Sequence, residues 1–114
     1  MRAPFSFHPI APMHLVQILV PLRDNEGNAF PRAWLDALRV ELTERFGGVT
    51  AHLRAPAAGA WKDEEGDLAR DDVVIVEVMA EDLEREWWSA FGKRLAEQYR
   101  QEEMMVRAVP CERL

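Results

Sequence analysis

Five side chains suited to acid–base chemistry or ligand binding fall on one face of four predicted strands. They are Gln17, His52, Arg54, Glu77 and Arg107. A histidine beside a carboxylate can take up or release a proton near neutral pH, and a guanidinium group stabilises developing negative charge. His52 and Glu77 are therefore the candidate catalytic residues, and all five are candidate ligand-binding residues.

The elements that must position these residues follow the order strand, helix, strand, strand, helix, strand. The predicted strands cover residues 14–22, 49–55, 73–79 and 103–109, and the predicted helices cover 31–46 and a segment that begins near 82. This order predicts an α+β fold, a ferredoxin-like βαββαβ sandwich with a four-stranded antiparallel sheet (order 4-1-3-2) and two helices on one face. Residues 1–12, which contain three prolines, are predicted to be an extended arm before a single domain over 13–114.

Local patterns add detail to the helices and to the last strand. The spacing predicts that the second helix buries a stripe composed of Leu83, Trp87, Phe91, Leu95 and Tyr99. Trp88 is predicted to flank this stripe. Gly92 inside that helix indicates close packing, because glycine is costly there. Glu41 and Arg45 have the spacing of an ion pair within the first helix. Pro110 is predicted to end the last strand.

Alternation along the strands sorts their side chains into two sets. The first set is apolar and is predicted to face the helices: Val16, Ile18, Val20, Val49, Ala51, Leu53, Val74, Val76, Val78, Met104, Val106 and Ala108. The second set forms what we call the helix-free face, and it is mixed: Leu15, Gln17, Leu19, Thr50, His52, Arg54, Val73, Ile75, Glu77, Met79, Met105, Arg107 and Val109.

The predicted strand order clusters the polar members of the helix-free face. Gln17 and Glu77 fall on the two central strands, with His52 or Arg54 at one edge and Arg107 at the other. Polar groups that converge on an apolar floor are typical of a small-molecule site. The alternative is structural, since Glu77 and an arginine can also form a cross-strand ion pair buried at a dimer interface.

Trp61 is the remaining candidate ligand-binding residue, and it lies in the 56–72 connection between the second and third strands. That connection is either a lid over the helix-free face or an extended hairpin. Tryptophan is enriched at interfaces, so Trp61 is interpreted as a lid or an interface anchor. A residue of a small satellite core is the alternative.

Composition argues against several classes of function. The net charge is −6, and residues 58–114 alone carry fifteen acidic and eight basic groups, so nucleic acid and anionic membranes are not expected as partners. The histidines and the single cysteine, Cys111, match no metal-ligand spacing, and neither a metal nor a cofactor is predicted. With no secretory leader or membrane span expected, a cytoplasmic protein is predicted.

A family pattern adds to this interpretation. The segment Phe46-Gly47-Gly48-Val49-Thr50, followed by Gly59-Ala60-Trp61 and a strand, resembles small bacterial domains with a Phe-Gly-Gly-x-Thr and Gly-x-Trp pattern. That resemblance covers the middle third of the chain and implies a ferredoxin-like domain without an established activity. The architecture also resembles the dimeric α+β barrels, which include cofactor-independent oxygenases, haem-degrading enzymes and ligand binders. The proximal histidine of the haem enzymes has no counterpart here.

Three functions are consistent with these features. The first is a homodimeric small-molecule-binding domain that uses the helix-free face. The second is a small cofactor-independent enzyme, of oxygenase or acid–base isomerase type, in which His52 or Glu77 moves a proton. The third is a protein-interaction module without a ligand.

Overall fold

The computed structural model describes residues 13–54 and 73–114. Its elements are β1 (Met13–Pro21), α1 (Arg32–Phe46), β2 (Thr50–Arg54), β3 (Val73–Ala80), α2 (Arg85–Gln98) and β4 (Val106–Cys111). All neighbouring strands are antiparallel and their order is β2-β3-β1-β4, which is the predicted order 4-1-3-2 counted from the other edge. The ferredoxin-like α+β prediction is confirmed. The predicted 1–12 arm and the 56–72 connection lie outside the described residues.

The core lies between the helices and the even-numbered side chains of β1 and β3. Buried strand residues are Val16, Ile18, Val20, Val74, Val76, Val78 and Ala80, and they pack with Leu38 and Leu42 of α1 and Phe91 and Leu95 of α2. The two-residue alternation is therefore confirmed on the central strands. Ala108 of β4 is exposed because it borders a cleft of about 290 Å³, beside Ser89 and Gly92 of α2. The helices thus cover the edge strand β4 only in part.

The turn between β1 and α1 is organised by Asp24. Its carboxylate accepts hydrogen bonds from the backbone N–H groups of Asn28 (2.8 Å) and Glu26 (2.9 Å). The hydrogen bond from Asn28, supported by the others, holds the pKa of Asp24 below its ordinary value. This turn fixes the direction in which the chain leaves β1 toward α1.

The second helix differs from the prediction at its start and in its buried stripe. It begins at Arg85 rather than near 82, and Trp88, not Trp87, is the core tryptophan with 5% exposure. Trp88 stacks on Phe46 with ring centroids 5.2 Å apart, while Trp87 is half-buried beneath the guanidinium of Arg45. Phe46 contacts the rings of both tryptophans, so the buried stripe is set by how the whole of α2 packs against the core.

Charged residues of α1 pair with residues of α2 or of the position just before it, so the predicted Glu41–Arg45 pair is wrong. Arg94 donates to Glu41 at 2.6 Å, and Arg45 donates to Glu84 at 3.1 Å. The two helices lie close enough side by side for these longer-range contacts to replace the local one. Both pairs are exposed, so each contributes less than about 1 kcal/mol to stability.

The last strand continues through Pro110, which corrects the prediction that Pro110 ends it. Pro110 pairs with His14 in the β1–β4 register, and Cys111 pairs with Met13. Proline lacks an N–H donor, but β4 is an edge strand, where that loss is tolerated. The continuation adds Cys111 to the helix-free face.

Replacing Gly92 by alanine is expected to raise the free energy of unfolding by about 0.5–1 kcal/mol. A Cβ at position 92 meets Cγ2 of Val106 at 3.4 Å, so the close packing predicted here leaves room for a methyl group. Alanine is also favoured over glycine within a helix. Urea unfolding of both proteins checks this expectation. A loss of stability would show that α2 and β4 cannot accommodate the methyl group.

Candidate functional site

Four side chains, one from each strand, form a continuous row across the helix-free face. Gln17 pairs in register with Glu77 of β3 and with Arg107 of β4. Gln17 Nε2 donates to Glu77 Oε2 at 2.6 Å, and Arg107 Nε donates to Gln17 Oε1 at 2.7 Å. His52 Nε2 lies 3.2 Å from Glu77 Oε1. We call His52, Glu77, Gln17 and Arg107 the polar row.

Gln17 connects the acidic and basic members of the polar row. Its amide donates on one side and accepts on the other, so a single orientation satisfies both neighbours. Glu77 has contacts at both carboxylate oxygens and its side chain is 20% exposed, whereas the His52 side chain is 48% exposed. The carboxylate is therefore held in place while the imidazole remains accessible, an arrangement suited to binding and to proton transfer.

Apolar side chains flank the polar row at both ends of the strands. Leu15, Leu19 and Ile75 are partly buried. Met79, Met105 and Val109 are 39%, 49% and 45% exposed. Large apolar side chains gathered on one exposed face are typical of a binding surface.

A sulfur contact at one end of the helix-free face was not predicted from the sequence. Cys111 Sγ lies 4.0 Å from Met79 Sδ, across the intervening strand β1. The sequence shows no activating base near Cys111, so this thiol is interpreted as incidental, and the last strand is predicted to end before it. Strand alternation could have predicted the position of Cys111. Positions 105, 107 and 109 share the helix-free face, and the next position in that series is 111.

The structure thus brings together four of the predicted site residues: Gln17, His52, Glu77 and Arg107. Arg54 is the last residue of β2 and pairs with Val73 in register, but its side chain lies outside what the structure describes. Trp61 lies outside the described residues altogether. Within 13–54 and 73–114, no three His, Cys, Asp or Glu side chains are grouped as metal ligands would be. In the same ranges, neither helix is long and apolar enough to cross a membrane.

Comparison with known proteins supports the fold. No family model matches the sequence, and no curated protein is significantly similar to it. Among solved structures, the chain is similar to a phage SAM lyase in complex with S-methyl-5′-thioadenosine, with a TM-score of 0.51 and 15% sequence identity. The match covers 90% of this chain and 91% of the lyase chain. At this identity the likeness extends to the fold alone.

Proposed function

We propose that this protein is a homodimeric small-molecule-binding domain whose ligand lies against the polar row on the helix-free face. The observation that carries the proposal is the row itself. It links all four strands through contacts of 2.6, 2.7 and 3.2 Å and lies between exposed apolar side chains. A surface that combines a few positioned polar groups with an apolar floor is the usual form of a small-molecule site.

The two charged members Glu77 and Arg107 of the polar row define the chemistry of the ligand. Glu77 offers a carboxylate, and Arg107 lies two strands away, about 10 Å at ordinary strand spacing. Such a site suits a polar ligand with hydrogen-bond donors or positive charge near Glu77 and acceptors or negative charge near Arg107. Its apolar part would cover Met79 or Met105.

A second copy of the chain is the partner that this face fits best. An open sheet face is poorly suited to enclose a small ligand, because most of the ligand surface would stay in water. Packing against another copy would bury Met79, Met105 and Val109 together with the ligand. Symmetric dimers are also the commonest assemblies of soluble proteins.

Native mass spectrometry of the freshly purified protein, followed by calorimetric titration, tests the proposal. We expect a dimer, with added mass where a ligand is retained. S-methyl-5′-thioadenosine is the first probe for the titration, because the structurally similar phage lyase binds it. A monomer with no retained mass, and no heat with this probe or a panel of nucleosides and amino acids, would contradict the proposal.

The contact between His52 and Glu77 favours an acid–base enzyme as the second candidate function. In this role the accessible imidazole takes a proton from the substrate, Glu77 stabilises the resulting imidazolium, and Arg107 stabilises negative charge on the substrate. The first substrate to test is SAM, for which the phage lyase is named. Chromatography that shows SAM consumed by the parent protein but not by His52→Ala would support this candidate over plain binding.

A further inference from the structure

The order of charges along the polar row determines how two copies can face each other. Resting on the proposed function, we infer that the helix-free faces pack about a twofold axis that runs along β1. In this dimer Glu77 of each copy pairs with Arg107 of the other. The ligand site is then composite, with His52 and Glu77 from one copy and Arg107 from the second copy. The guanidinium beside Glu77 is thus the second copy's, in place of the one about 10 Å away on the same chain.

The argument starts from the register around β1. Glu77 and Arg107 both lie opposite Gln17, one strand away on either side of it. Two identical sheets that meet face to face are related by a twofold axis lying between them, and the limiting directions of this axis are along the strands and across them. An axis along β1 exchanges its two sides, so Glu77 faces Arg107 of the second copy. An axis across the strands places Glu77 against Glu77 and Arg107 against Arg107.

Electrostatics therefore separates the two arrangements. Like charges that face each other in an interface cost several kcal/mol, whereas close opposite charges stabilise it. The axis along β1 also brings Gln17 against Gln17, and an amide is complementary to itself because it both donates and accepts. Of these two directions, the axis along β1 is the one that leaves no charge of the polar row opposite a like charge.

The apolar levels on either side of the row are consistent with the same axis. Leu15 lies opposite both Met79 and Val109, so the exchange places Met79 against Val109 of the second copy. Within one chain, Leu19 lies opposite Ile75 of β3, and its N–H donates to the carbonyl of Met105 at 3.0 Å on the other side. The exchange therefore places Ile75 against Met105 of the second copy. The exposed apolar side chains would thus be covered by apolar partners.

The same axis leaves a route for the ligand. Strand β2 lies beyond β3, two strands from β1, whereas on the other side the sheet ends one strand from β1 at β4. In the dimer β2 has no strand of the second copy opposite it. His52, with its side chain 48% exposed, therefore stays at the rim beside Glu77 and the second copy's Arg107. Each dimer has two such sites, both open to solvent.

Charge reversal tests this arrangement in the full chain. Glu77→Arg places two arginines against each other, and Arg107→Glu places two glutamates together, so each single variant should raise the dimer Kd about tenfold or more. The double variant E77R/R107E restores both pairs and should dimerise within about threefold of the parent. Sedimentation equilibrium gives these constants, with Glu44→Arg and Arg39→Glu on the exposed side of α1 as matched controls of charge.

Mixing the two single variants in equal amounts provides a check on folding. Their heterodimer pairs each arginine with a glutamate, so intact subunits should recover parent-like dimerisation, whereas misfolded ones would not. A double variant as weak as the single ones overturns the axis along β1. Single variants that dimerise like the parent also overturn it, because that result fits an axis across the strands or an interface elsewhere. Either result leaves ligand binding by the parent protein intact, whereas failure of the proposed function appears as a parent that neither dimerises nor binds the probes.

Discussion

Glu77→Gln is expected to raise the Kd of the bound ligand about 10- to 100-fold, the largest effect on binding that we expect from one substitution in the polar row. A hydrogen bond to a charged group contributes about 1.5–3 kcal/mol, and each 1.4 kcal/mol corresponds to a factor of about ten in Kd. The substitution preserves size but removes the charge that His52 and Gln17 contact at 3.2 and 2.6 Å. Calorimetric titration with S-methyl-5′-thioadenosine, or with the molecule retained in native mass spectrometry, measures the change.

Glu44→Gln on α1 is the matched control, because it makes the same chemical change at an exposed position away from the sheet. Its Kd should equal that of the parent. Circular dichroism spectra and melting temperatures should show that both variants are folded. Unchanged affinity in a folded Glu77→Gln protein would show that the ligand does not bind at the polar row. The row would then be the structural ion-pair network that the sequence also allowed.

The polar row could be predicted from the sequence because strand alternation is a rigid rule. Every second residue of a strand faces the same side, so Gln17 and Glu77 had to share a face once their strands were recognised. The ferredoxin-like order then made β1 and β3 central neighbours. The register, meaning which residues of neighbouring strands lie opposite each other, does not follow from alternation. The direct pairing of Gln17 with both Glu77 and Arg107 is known only from the structure.

Features that depend on packing between elements could not be predicted in the same way. Trp87 and Trp88 are both compatible with a buried helical stripe, and both rings contact Phe46 of α1. Which of the two is buried depends on how α2 as a whole packs against the core. Arg45 had a local partner at the right spacing, yet it pairs with Glu84, the residue just before the other helix. A proline is expected to end a central strand but is tolerated in an edge strand, so the effect of Pro110 depends on the position of β4 in the sheet.

Trp88→Ala is expected to lower the free energy of unfolding by about 3–5 kcal/mol, the largest loss of stability that we expect from one substitution in the described core. Trp88 is 5% exposed. Its ring lies 5.2, 4.8 and 5.6 Å from those of Phe46, Trp87 and Phe91. Alanine leaves a cavity between α1 and α2 that backbone relaxation fills only in part. Guanidinium unfolding measures the loss.

Trp88→Phe separates packing from the polar atom of the same side chain. The indole Nε1 is buried and has no hydrogen-bond partner within the described part of the chain, and such a donor costs about 1–3 kcal/mol. Phenylalanine removes that cost while it keeps most of the ring contacts, so we expect a loss of at most about 1–2 kcal/mol. If Trp88→Phe destabilises the protein as much as Trp88→Ala, the indole N–H has an acceptor in solution. The core between α1 and α2 would then be held together by a polar contact as well as by ring packing.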